Sequence, residues 1–88
     1  MRTKNGFVLR SLGREFILVA EGLEAVDSNQ LVSMNESAAF LWKAIEGKDF
    51  EAEMLVDLLM EEYDVAREVA EKDVASLIQT WKDAGVIN

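Results

Sequence analysis

The chain has 88 residues, half of them hydrophobic, with a formal net charge of −8 and neither cysteine nor histidine. That length suits one domain spanning residues 1–88, and the composition excludes disulfides, thiolate metal sites and a Ser-His triad. The charge is uneven: residues 1–34 carry four basic and four acidic side chains, whereas residues 35–88 carry five and thirteen. Such an acidic half repels phosphate backbones and attracts cationic peptides or basic protein surfaces, or it simply keeps the chain soluble.

The first strand is expected at Phe7-Val8-Leu9-Arg10-Ser11-Leu12, followed by a tight turn at Gly13-Arg14. Glycine supplies the positive φ that such turns use. The partner strand runs from Glu15 to Ala20. Its Phe, Ile, Leu and Val residues predict burial on both faces. Glu21 to Ala25 breaks the pattern, and Asp27-Ser28-Asn29 is a turn cluster. Gln30-Leu31-Val32-Ser33-Met34 is a third, short strand. Three strands with short connections make an antiparallel meander, which needs helices over one face.

Helical periodicity begins after Met34. Ala38, Leu41, Trp42 and Ile45 are spaced as one buried stripe, which Gly47 ends. Two capping registers fit its start. Asn35 is a good N-cap, and Ser33 with Glu36 matches a capping box. A second helix runs from about Glu51 to Glu62, with Leu55, Leu58 and Leu59 inside and Met54 and Val56 beside them. Tyr63-Asp64-Val65 closes it. A third runs from about Arg67 to Ala84, with Ala70, Val74, Leu77, Ile78 and Trp81 on one stripe. Gly85 stops it, and Val86-Ile87 should fold back onto it. The fold class is α+β: a three-stranded antiparallel sheet followed by three helices, in a winged helix-turn-helix-like layout.

Groups that could carry catalysis are few. Asp57, Glu61 and Glu62 could share a hard cation, but their spacing fits a solvated helix face and no loop supplies further ligands. The five serines lie in no Ser-x-x-Lys or Gly-x-Ser-x-Gly motif, and the glycines are scattered rather than gathered into a phosphate loop. Trp42 and Trp81 read as core aromatics. No cofactor or metal is expected. No apolar run, Phe16 to Ala20 included, is long enough to cross a membrane, and no signal peptide is visible, so the expected location is cytoplasmic.

The third strand is the most informative segment. It comes last in the meander and contains no Lys, Arg, Pro or Gly that would guard an edge. An unguarded edge can accept an extended peptide by β-augmentation. Alternatively, the N-terminal residues or a second copy of the protein, as a homodimer, could cover it.

The ordered set Phe7-Val8-Leu9-Arg10, Met34-Asn35-Glu36-Ser37-Ala38-Ala39, Trp42, Gly47, Leu55 to Leu59, Glu62-Tyr63-Asp64-Val65, Asp73-Val74 and Gly85-Val86-Ile87 resembles the PqqD family. The Met34-to-Ala38 stretch is similar to that family's Leu-Asn-Glu-Thr-Ala pattern. The resemblance implies a non-catalytic adaptor that binds the leader of a ribosomally made precursor peptide. It implies presentation to a modifying enzyme, often a radical S-adenosylmethionine protein, in pyrroloquinoline quinone or related modified-peptide pathways. It further implies that the leader adds to the third strand and packs against the third helix. Carried over, the site is Gln30, Leu31, Val32, Ser33 and Met34 on one side, with Val69, Lys72, Asp73, Ser76, Leu77 and Thr80 on the other.

Two other classes compete with the adaptor. A winged-helix nucleic-acid binder needs a basic recognition helix. The third helix instead sets Arg67, Lys72 and Lys82 against Glu68, Glu71, Asp73 and Asp83. A small enzyme is disfavoured by the missing histidine, cysteine and motifs. Neither nucleic acid nor a membrane is an expected partner.

Overall fold

The computed structural model describes residues 1–21 and 32–88. Its elements are β1 (Phe7–Leu12), β2 (Glu15–Ala20), β3 (Val32–Met34), α1 (Glu36–Ile45), α2 (Ala52–Glu62) and α3 (Arg67–Ala84). The sheet is antiparallel with strand order β1-β2-β3. Pairs run from Phe7 opposite Ala20 to Leu12 opposite Glu15, and from Phe16 opposite Met34 to Leu18 opposite Val32. The β1–β2 turn places Gly13 at φ 65°, the left-handed region where a side chain would be strained. Three strands and three helices therefore follow one another as the sequence pattern requires. The first break segment and the turn cluster at Asp27-Ser28-Asn29 lie, apart from Glu21, outside the described residues, as do Gln30 and Leu31.

Side-chain alternation sends Phe7, Leu9, Phe16, Leu18, Val32 and Met34 toward the helices. α1 packs on β2 and β3, and α2 packs on α1 and α3. β2 is the central strand, yet it is not buried on both faces as its composition predicts. Only Leu18 is buried; Ile17 and Val19 are half-buried, and neighbouring Val8 and Leu12 are exposed. The physical reason is that the core packs on the Leu18 side of the sheet, so Val8, Leu12, Ile17 and Val19 on the other face are covered by no helix among the described residues.

In α1, Ala38, Ala39, Leu41, Trp42 and Ile45 are buried. The Asn35 register wins at its start. Asn35 Oδ1 accepts the Ala38 N–H at 2.9 Å and the Ser37 hydroxyl at 3.0 Å, while Ser33 belongs to β3. In α2 the core residues are Leu55, Val56 and Leu59. Val56 takes the place expected for Leu58, which is only half-buried, because α3 meets α2 on the Val56 side. α3 buries Ala70, Val74, Ile78 and Trp81, and Leu77 stays half-buried at its margin. The left-handed Gly85 donates to the Lys82 and Trp81 carbonyls, and the Val86 N–H reaches Trp81 O at 3.1 Å. Val86 and Ile87 consequently turn back into the core.

The N-terminal residues have a different destination from the β3 edge. Thr3 bridges to Ile87 and Arg2 to Asp49. Lys4 N donates to Val86 O at 2.9 Å, and Phe50 N donates to Met1 O at 2.8 Å. Thr3 is buried, and its hydroxyl oxygen accepts the Gly47 N–H at 2.9 Å. This clasp joins the chain start, the α1–α2 turn and the C-terminus. It also buries Phe50.

Candidate functional site

β3 is an edge strand: β2 pairs with one side of it, and no strand pairs with the other among the described residues. Val32 and Met34 anchor it by burying their side chains, while Ser33 is exposed. The backbone on the open side therefore offers donors and acceptors to an incoming strand. Because the N-terminal residues are pinned to Asp49 and Ile87, they do not cover this edge.

One residue past β3, Asn35 opens onto a groove of about 290 Å³. Its walls are the first turns of α1 (Ser37, Ala38, Leu41) and one stripe of α3 (Asp73, Ser76, Leu77, Thr80), with Leu59 of α2 below. A second hollow of about 340 Å³ shares Asn35, Ser37, Leu59 and Asp73 and extends to Glu36, Tyr63 and Val65. The floor is apolar and the rim polar. Among the described residues, the charged side chains lining either hollow are Asp73 and Glu36.

Local chemistry fixes much of this wall. Capping holds the Asn35 carbonyl oxygen in place and leaves its amide nitrogen as a donor for a ligand. The Thr80 hydroxyl donates to Ser76 O at 3.0 Å, so its own oxygen remains an acceptor. Tyr63 meets Phe40 edge to face at 6.1 Å. Burial, then the negative charges of Glu36 and Glu62, push the Tyr63 phenol above its ordinary value.

Of the site residues named from the sequence, Asp73, Ser76, Leu77 and Thr80 line one groove together. Val32, Ser33 and Met34 form the adjoining edge strand. Val69, 49% exposed, and the exposed Lys72 sit on α3 outside the groove lining. Gln30 and Leu31 lie outside the described residues. Asn35, Ser37, Ala38, Leu41 and Leu59 also line the groove, and the sequence pattern gives them roles in caps and core but none in a site. Asn35 carried a signal, its cap, but nothing local says that this cap faces α3.

The lining offers hydrogen-bonding groups, apolar contact and the carboxylates of Asp73 and Glu36. Asp57, one of three carboxylates considered as a cation site, is instead tied to Arg67 at 3.1 Å. Among the described residues no cluster of three or more His, Cys, Asp or Glu could hold a metal, and no helix is long and apolar enough to cross a membrane.

No curated protein matches this chain. Two solved structures share its fold. One is TbiB1 in complex with the TbiA(beta) leader peptide, with TM-score 0.78 and 17% identity over 100% of this chain and 95% of that one. The other is a lasso peptide synthetase B1 complexed with the leader peptide, with TM-score 0.74 and 21% identity over 99% of this chain and 95% of that one. The family model described as Coenzyme PQQ synthesis protein D (PqqD) matches residues 15–87, a span holding β2, β3 and all three helices. The chain belongs to the PqqD family.

Proposed function

We propose that this protein is a non-catalytic adaptor. It binds the leader of a ribosomally made precursor peptide as an added strand on β3 and presents it to a modifying enzyme, a radical S-adenosylmethionine protein or another peptide-modifying enzyme. The observation that carries this reading is the unguarded edge of β3 lying beside an apolar-floored groove. Backbone pairing supplies affinity for any extended segment, and the groove supplies selection. Among the described residues its lining charges are Asp73 and Glu36, which favours a leader with apolar anchors and a basic neighbour. The family match and the leader complexes of TbiB1 and the lasso peptide synthetase B1 support the same reading. The leader, rather than a second copy of the chain, is the occupant of the edge, and the work is done in the cytoplasm, where the precursor is made.

The contribution to the reaction is positioning. Holding a flexible peptide near an active site converts a bimolecular encounter into an effectively unimolecular one. The test mixes precursor, enzyme and adaptor, omits each in turn and follows product by mass spectrometry. Modification should fall sharply without the adaptor and vanish without the enzyme. Equal modification with and without the adaptor would reject the reading, as would any change to the precursor by the adaptor alone.

A further inference from the structure

A cleft of about 330 Å³ lies between α2 and α3, lined by Ala52, Glu53, Val56, Arg67, Glu71 and Val74, with Ala75 at its margin. Val56 and Val74 are buried and form its floor, and the two alanines leave room above them. At 3.6 residues per turn, the α3 residues of this cleft point roughly half a turn away from Asp73, Ser76, Leu77 and Thr80. The cleft and the leader groove thus use opposite sides of one helix.

The charges of the cleft are asymmetric. Arg67, the one cation lining it among the described residues, is paired with Asp57 at 3.1 Å, an ion pair that also ties α3 to α2. Glu53 and Glu71 are exposed and form no ion pair among the described residues. An apolar floor between two unpaired carboxylates complements a segment that carries small apolar side chains flanked by lysine or arginine.

We infer that this cleft docks a positively charged amphipathic segment of the enzyme that receives the leader. The inference rests on the adaptor reading and adds to it a second, separate face. Opposite faces of α3 let leader and enzyme be held at once, which a presenting protein needs and a single shared groove would forbid.

The experiment is an amide-shift titration of the whole protein. The probes are a synthetic helix-former built from lysine, leucine and alanine and its glutamate-for-lysine twin, beside a leader peptide. The lysine probe should shift Ala52, Val56, Val74 and Ala75 and spare Ser76 to Thr80, and the glutamate twin should not bind. Glu53→Lys with Glu71→Lys should weaken the lysine probe about tenfold. Glu15→Lys with Glu46→Lys, the same change in net charge outside the cleft, should weaken it far less. Should the first pair fail to fold by circular dichroism, Glu53→Gln with Glu71→Gln reads the same contrast. Equal weakening by both pairs would overturn the proposal, because attraction would then follow net charge alone. So would shifts centred on the leader groove, or shifts of the cleft residues with protein concentration alone, which would make a second copy the occupant. Leader affinity should be unchanged in the cleft variants. A wild-type protein that binds the lysine probe in the cleft but no leader would count against the adaptor reading and not against the cleft.

Discussion

Trp42 of α1 and Trp81 of α3 meet edge to face, with ring centroids 5.2 Å apart and planes at 81°. Both are fully buried. The pair links the two helices whose first turns and outer stripe wall the groove.

Truncating either ring should therefore cost both stability and binding. Trp42→Ala or Trp81→Ala is expected to lose about 3–5 kcal/mol in urea unfolding. Trp81→Phe should cost much less. Neither indole N–H has a partner among the described residues, so phenylalanine removes a buried unpaired donor along with the volume. Equal losses for phenylalanine and alanine would mean that the indole N–H is satisfied after all.

Proline scanning of β3 separates folding from binding. Consecutive N–H groups along a strand point to opposite sides, so of Val32 and Ser33 one donates toward β2 and the other toward the open edge. Val32→Pro and Ser33→Pro should differ in circular dichroism. The variant that lost the inward donor should be destabilised, and the one that lost the outward donor should stay folded and lose leader affinity. A folded proline variant at each position, both binding as wild type, would contradict strand addition.

Asn35 joins the helix cap to the groove. Asn35→Ala should destabilise the fold by about 1 kcal/mol, the usual cost of a lost N-cap. Asn35→Asp keeps the acceptor and should keep the stability. Its leader affinity should nevertheless fall if the amide nitrogen donates to the leader, since a carboxylate cannot. Calorimetry on the two variants separates the effects.

Tyr63 is the only tyrosine, so ultraviolet titration reads it alone. Its phenol should ionise above the ordinary value of 10.0, and Glu36→Gln should bring it down by removing one of the charges that raise it. The raised value stabilises the fold fully below the unfolded-state pKa. As pH rises from 10.0 through the folded-state value, the unfolded chain gives up its proton first and this contribution is lost. Tyr63→Phe should flatten that part of the stability profile. An unchanged profile would place the loss on other groups.

Local order was readable because it rests on short spacings. The Ala38-Leu41-Trp42-Ile45 stripe, the Gly13 turn and the Gly85 stop each lie within one or two turns of chain, and each is where the pattern places it. What was not readable depends on distant partners. Arg2 N donates to Asn88 Oδ1 across 86 positions, and the polar Arg2-Thr3-Lys4 gives no strand signal of its own. The half-exposed β2 and the exchange of Val56 for Leu58 follow from where helices dock, which periodicity cannot state. The same holds for the groove. Its α3 stripe follows from helical spacing, but its other wall exists only because Asn35 and α1 turn toward α3.

The central claim is that a leader peptide pairs with β3 and lies against α3. Titrating an isotope-labelled protein with leader peptide and mapping its amide shifts tests it most directly. The account predicts shifts concentrated at Val32, Ser33 and Met34 together with Asp73, Ser76, Leu77 and Thr80. Saturable binding whose shifts avoid both β3 and that stripe of α3 would contradict it.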